Sequence, residues 1–314
     1  MTRDDETLLR SLLADRFLQW LNERYGTDFQ FPADEAFPPD RPAVARDGAR
    51  TLALTTVPLF PLDGDPWHEH RRRLQDQLAA SLEGGYVLWL PPGADLPQDE
   101  VDAADFVRRV ERDARALAPG QRRAVSFPVT LGLRQVEDGG AYMNVVGGLA
   151  RHWARFTDQI WGVYQLDSSA LHRIPEGDLD RLIREIVEMT KQIQKGQWAE
   201  IRTPEAWTVE RTRRGEGFLI AGAPPGWEGN SGPTLRKAVR AAIRRADEQY
   251  RARMADVQAL LLVGAYAYLE DELITVTYRG SDPLAYASID LPAVAADGQI
   301  RAILEPPPER ISPA

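Results

Sequence analysis

The sequence predicts an α/β protein whose mixed β-sheet is flanked by helices. Three observations carry that reading. Helical and strand-like segments alternate along the chain. The runs "YVLWLP" (86–91) and "VQALLLVGAYAYL" (257–269) are apolar on both faces, as interior strands are. Turn residues such as Asp47-Gly48 punctuate the segments.

The elements follow in order. Leu8, Leu9, Leu12, Leu13, Phe17, Trp20 and Leu21 recur at helical spacing, giving an amphipathic first helix that Gly26 stops. "FPADEAFPPDRP" (31–42) is an extended connector, because proline withholds donors and keeps its predecessor out of the helical region. Ala43–Arg46 and Thr51–Val57 are two strands joined at Asp47-Gly48. A charged helix from Trp67 to Leu82 precedes the first apolar strand. A further helix over Asp99–Leu117 carries Val101, Phe106, Val110 and Leu117 on or near one side.

Strands are then expected around Asp138-Gly139-Gly140, and Leu149–Ser169 reads as aromatic and irregular. Leu179–Gln194 is a helix with a stripe of Leu182, Ile183, Ile186, Val187 and Ile193. "AWTVERTRRGEGFLIAG" (206–222) reads as a hairpin turning near Arg214-Gly215, and "APPGWEGNSGP" (223–233) as a long loop. Leu235, Val239, Ile243, Ala246, Tyr250 and Met254 mark one face of a strong helix. "ELITVTY" (272–278) is expected to pair as a strand with the apolar run before it, and 305–314 to fray.

Composition narrows the function. Hydrophobic residues make up 43% of 314, ample for a core, and no apolar run approaches the ~20 residues of a membrane span. The acidic start "MTRDDETLLRSLL" is unlike a signal peptide. Absence of cysteine excludes disulfides, thiolate metal sites and a cysteine nucleophile, and a cytoplasmic location is expected. Only three of the 38 basic residues are Lys, and the net charge is −9. That charge opposes broad nucleic-acid binding, so any such binding is expected to be weak and local. No cofactor fingerprint or metal-ligand set is present, and a protein partner or a second copy of the chain is the other expected partner.

One arrangement has a known counterpart. A helix, Pro39-Asp40 and a hairpin strand are followed at a distance by "AVRAAIRRADEQYRARMADVQALLLVG" (238–264). This order resembles the PD-(D/E)XK, or restriction-endonuclease-like, superfamily, whose members often carry a helix of the form Ala-Ile-x-x-Lys-x-x-x-Tyr before a Leu-rich core strand. Ala242-Ile243 and Tyr250 match the helix and Leu260–Val263 the strand, while Ala246 stands where the lysine is expected. The pattern covers roughly 5–60 and 234–278. It implies a restriction-endonuclease-like core with a large insertion. The chain then reads either as one unit over 1–314 or as a core of 1–60 plus 231–304 holding an inserted α/β region, 61–230.

In that superfamily two carboxylates hold Mg²⁺ and a lysine two residues beyond the second activates water. Asp40 fits the first position, but the others fall on Leu54 and Thr56, which offer neither ligand nor charge. The resemblance therefore implies the fold without the nuclease chemistry, leaving Asp40 a remnant or an ordinary loop aspartate bonded to backbone amides.

Other groupings have plainer readings beside the chemical ones. His68/His70 reads as a surface pair at a helix start rather than a metal site. Asp167, Ser168, Ser169 and His172 are triad residue types, but Asp167 or Ser169 capping a short helix explains the same letters. Trp153 and Arg155 are candidate nucleic-acid or partner contacts, with Trp153 and Phe156 as core the alternative. Between Thr234 and Met254 there is a local basic excess of five, in which Arg236, Arg240 and Arg244 share a helix face and Lys237 flanks them. They could touch phosphate or pair with acidic segments such as Glu100–Asp105.

Two functions stay open. One is a noncatalytic scaffold or nucleic-acid-associated assembly protein. The other is an enzyme, a hydrolase or metal-dependent nuclease, with a non-standard site in 139–175 to which Asp158, Asp167 or His172 contributes.

Overall fold

The computed structural model describes residues 3–33, 35, 37, 40–62, 66–91, 94–171, 173–175, 177–225, 227, 232–252, 255–264, 274–306 and 311. It is an α/β structure with two mixed sheets. The chain divides into two compact units. The first comprises Met1–Leu90, Asp95–Arg123 and Thr208–Ala314, the second Pro91–Ala94 and Ala124–Trp207.

The first unit is organised around helix α1 (Arg3–Tyr25). On one side lies a five-stranded sheet made of β1 (Ala43–Asp47), β2 (Arg50–Pro58), β9 (Val257–Val263), β10 (Leu291–Ala296) and β11 (Gln299–Ala302), in that spatial order. The hairpins β1–β2 and β10–β11 are antiparallel, whereas β2, β9 and β10 run parallel. Leu52, Leu54, Ala259 and Leu261 point toward α1 in one core cluster. That cluster also takes Val87 and Trp89 of β3 (Gly85–Trp89) and Leu219 and Ala221 of β8 (Gly217–Ala221). Residues Leu9, Leu12, Leu13, Ala14, Phe17, Leu18 and Leu21 are therefore all buried. The expected amphipathic helix is instead wrapped by apolar partners over most of its circumference, as a central helix must be.

The opposite face of the five-stranded sheet is covered by α6 (Gly232–Tyr250). Its Leu235, Val239, Ala242, Ile243, Ala246 and Tyr250 pack on Ala53, Leu260, Leu262 and Val294. The same cluster holds Ile274 and Tyr278. Residues 274–279 are helical, which corrects the strand expected in "ELITVTY". Helical spacing turns Ile274 and Tyr278 inward and leaves Val276 exposed, and the parallel β9–β10 pair requires such a crossover. The β10–β11 hairpin, not anticipated from the sequence, turns on Asp297 and Gly298, both at positive φ, as an Asp-Gly two-residue loop does.

Helix α2 (Pro66–Ser81) and helix α3 (Glu100–Arg115) complete this unit, Asp99 capping α3 by accepting from the amides of Val101 and Asp102. Val101, placed near the apolar side by its spacing, is exposed. β3 pairs parallel with β8 and antiparallel with the end of β7 (Trp198–Arg211). The turn at Arg214-Gly215 is thus not a hairpin turn, because β3 stands between the two strands it joins. Of the tail expected to fray, Pro306 and Ile311 are buried and Glu305 binds Arg24 and Tyr25. Residues 307–310 and 312–314 lie outside the described residues.

The second unit is a sheet in the order β5-β6-β4-β7. Its strands are β5 (Ala141–Gly147), β6 (Gly162–Ser168), β4 (Arg122–Glu137) and the first part of β7. Helix α5 (Leu179–Thr190) covers one face through Leu182, Ile183, Ile186 and Val187. Expected through Gln194, α5 ends at Thr190, and Ile193 packs from the following turn. The segment read as irregular, 149–169, contains a short helix α4 (Ala154–Thr157) and β6, an interior strand with alternating burial. β6 separates β4 from β5, so the Asp-Gly-Gly turn links strands that are not neighbours.

Candidate nucleic-acid interface

The β1–β2 register pairs Ala43 with Leu54, and Asp40 lies three residues before Ala43 in the turn that enters β1. Leu54 is 2% exposed and belongs to the core under α1, and Thr56 is buried as well. Among the described residues no three His, Asp or Glu side chains converge as a metal centre would require. Asp40 is exposed, and its carbonyl oxygen accepts from the Gln249 amide nitrogen at 3.2 Å.

What gathers around this hairpin is a hydrogen-bonded polar group. Thr55 Oγ1 donates to Gln249 Oε1 at 2.8 Å, bracing β2 against α6. The Tyr250 hydroxyl lies 2.6 Å from the carbonyl of Ala259 and 3.2 Å from that of Ala53, and burial raises its pKa. In α1, Arg10 binds Glu6 through Nε at 3.1 Å and Nη2 at 2.7 Å, with both residues buried. Burial lowers the Arg10 pKa, while the bond to Glu6 raises it; Arg245 and Asp40 are near enough for their charges to act as well. The Glu6–Arg10 pair was visible as i, i+4 spacing. Gln249 carried no signal, because its role depends on β2 arriving opposite it.

The polar side of α6 is different in kind. Arg236, Lys237, Arg240 and Arg244 are all exposed, and none makes an ion pair with a described residue. Of the acidic segment that the sequence offered, Glu100–Asp105, Asp105 is engaged by Arg108 and Arg109 of its own helix. Helical spacing places Lys237 and Arg244 opposite the buried Leu235 and Val239, while Arg236 and Arg240 flank the buried stripe on its Ile243 side. At the C-terminal end the stripe closes, since Arg251 pairs with Asp247 and Ser288 also bonds Asp247.

The remaining candidates fall elsewhere. Phe156 is core, whereas Trp153 is 52% exposed and Arg155 pairs with Asp180 at 2.6 Å, so the two aromatics of that motif divide between interior and surface. Partial burial, together with the charges of Arg151 and Arg155, lowers the pKa of His152. Asp167 accepts from the Ser169 amide in a turn rather than at a helix start, and Ser168 is buried with its hydroxyl donating to Val146 O. His172 lies outside the described residues. His68, expected at the surface, is buried with its Nε2 3.2 Å from Pro61 O, because α2 turns that side of its first turn inward.

Compared with family models, with curated proteins and with solved structures, the chain gives no match. No helix of the described residues is long and apolar enough to cross a membrane.

Proposed function

We propose that the protein is a noncatalytic, cytoplasmic, nucleic-acid-associated scaffold of restriction-endonuclease-like type, and that α6 presents its contact face. The observation that carries this reading is the set of four exposed cations without an ion pair among the described residues, Arg236, Lys237, Arg240 and Arg244, on one helix of a chain whose net charge is −9. An acidic protein with carboxylates to spare leaves these cations without partners among the described residues. Phosphate is the ligand that rewards such an arrangement, since each neutralised phosphate releases condensed counterions.

Absence of catalysis rests on Leu54. A residue packed into an apolar core supplies no metal ligand, and Thr56 supplies no cation. The hairpin, the parallel β2–β9 pair and α6 leading into β9 are in keeping with the resemblance in the sequence. Binding by the full chain to short duplex DNA and to single-stranded RNA at low salt, with Mg²⁺ or Mn²⁺ present and cleavage scored in the same samples, tests the reading. Binding without cleavage is the expected result. Cleavage abolished by Asp40→Ala, or no binding at any salt, would contradict it.

A further inference from the structure

In the second unit an open cleft of about 650 Å³ lies between the end of β4, the start of β6 and the turn after α5. Local geometry builds it. β4 bulges between Gln135, paired with Tyr164, and Glu137, paired with Val163. Bulges of this kind re-aim side chains beside binding sites. Opposite the bulge, Gly162 has φ +115°, and a Cβ there would come within 3.0 Å of Glu137 O and 3.1 Å of Gln135 Nε2. Only glycine lets the chain pass so closely.

The residue before that glycine is Trp161, at 75% exposure the most uncovered tryptophan of the described residues. It is held from below. The Tyr164 hydroxyl stands 2.9 Å from Trp161 O and 3.0 Å from Thr190 O at the end of α5, and the Tyr164 ring is buried. An uncovered indole carried on a braced stretch of backbone is a platform for a ligand.

The charges around the platform balance. Lys191 and Lys195, two of the three lysines in the chain, line the cleft with Asp138 and Asp158. Lys191 is tied to Glu188, and the Gln159 amide nitrogen donates to Arg155 O at 2.7 Å, which leaves the Gln159 amide oxygen to accept. Lys195 and Asp158 have no side-chain partner among the described residues. The lining itself carries two cations and two carboxylates, a balance that favours neither a free anion nor a cation. Donors and acceptors in equal measure suit groups that both donate and accept, which hydroxyls do.

We infer that this cleft binds a neutral oligosaccharide, one sugar laying its C–H face on Trp161 while its hydroxyls exchange hydrogen bonds with Asp158, Gln159 and Lys195. The negative face of the indole attracts polarised C–H groups, and the polar rim fixes orientation. A planar base is less suited, because the one other aromatic ring lining the cleft, Tyr164, is buried and cannot sandwich it.

Isothermal titration of the full chain with cellotriose, maltotriose, chitotriose and mannotriose, with uridine as the planar-base probe, tests this. At least one trisaccharide is expected to bind. Trp161→Ala should weaken it by about tenfold or more, and Asp158→Asn by a smaller factor, with melting curves unchanged because both side chains are exposed. No binding by any trisaccharide, affinity within about twofold of wild type in Trp161→Ala, or binding of uridine alone would overturn the inference.

Discussion

Leu54 stands directly opposite Ala43 in the β1–β2 hairpin, and both side chains are buried in the core beneath α1. The position at which a nuclease of this outline would carry a metal ligand is therefore a packing position. Leu54→Glu should destabilise the first unit by about 3–5 kcal/mol, the scale of an uncompensated buried charge. Chemical denaturation followed by circular dichroism measures it. A Leu54→Glu, Thr56→Lys double variant that stays folded and binds Mg²⁺ would show that the site is an open cleft instead.

Tyr250 gives a second, contrasting prediction. Its hydroxyl serves strand carbonyls inside the core, so Tyr250→Phe should cost about 1–2 kcal/mol and lower Tm without altering nucleic-acid affinity. Weakened binding at unchanged Tm would assign the hydroxyl to the interface rather than to the scaffold.

Glu210 in β7 is 2% exposed. Arg16 Nε is 3.4 Å from its carboxylate, an ion-pair distance without hydrogen-bond geometry. Burial raises its pKa above the ordinary value, outweighing the opposing effects of Arg16 and Trp89. The folded protein thus holds this proton more tightly than the unfolded chain does. The stabilisation is full below the unfolded value of 4.5 and is lost as pH rises through the folded pKa. Glu210→Gln removes the titrating group, so the difference in Tm, variant minus wild type, should be more positive at pH 8 than at pH 5. The reverse order would mean that the pair with Arg16 outweighs desolvation.

Much of the fold was legible because it is encoded locally. The Asp-Gly turn and alternating residues of β1–β2, the Asp99 cap of α3 and the apolar stripes of α5 and α6 all lie within short windows. What was not legible is long-range. Nothing near Arg214-Gly215 reveals that β3, more than a hundred residues earlier, inserts between β7 and β8. The β-branched "ITVT" favours a strand by propensity and is helical because a parallel crossover is needed there. Two further local signals lie in the sequence: Asp297-Gly298 marks a hairpin, and 163–168 alternates as a strand does. At the candidate site, the four cations of α6 were readable from their spacing, but their lack of ion partners among the described residues depends on which acids are engaged elsewhere.

The salt dependence of nucleic-acid binding, compared between wild type and an Arg240→Ala, Arg244→Ala variant, tests the central claim most directly. If α6 touches phosphate, binding will be measurable at low salt and weak at physiological salt, as the net charge of −9 requires. Each phosphate that an arginine no longer neutralises should reduce the log–log slope by about 0.7–0.9, so the double variant should be shallower by about 1.4–1.8. Its Tm should barely move, because neither arginine has an ionic partner among the described residues. A folded variant that binds with the wild-type slope, or a wild-type protein that binds neither DNA nor RNA at low salt, would contradict the account.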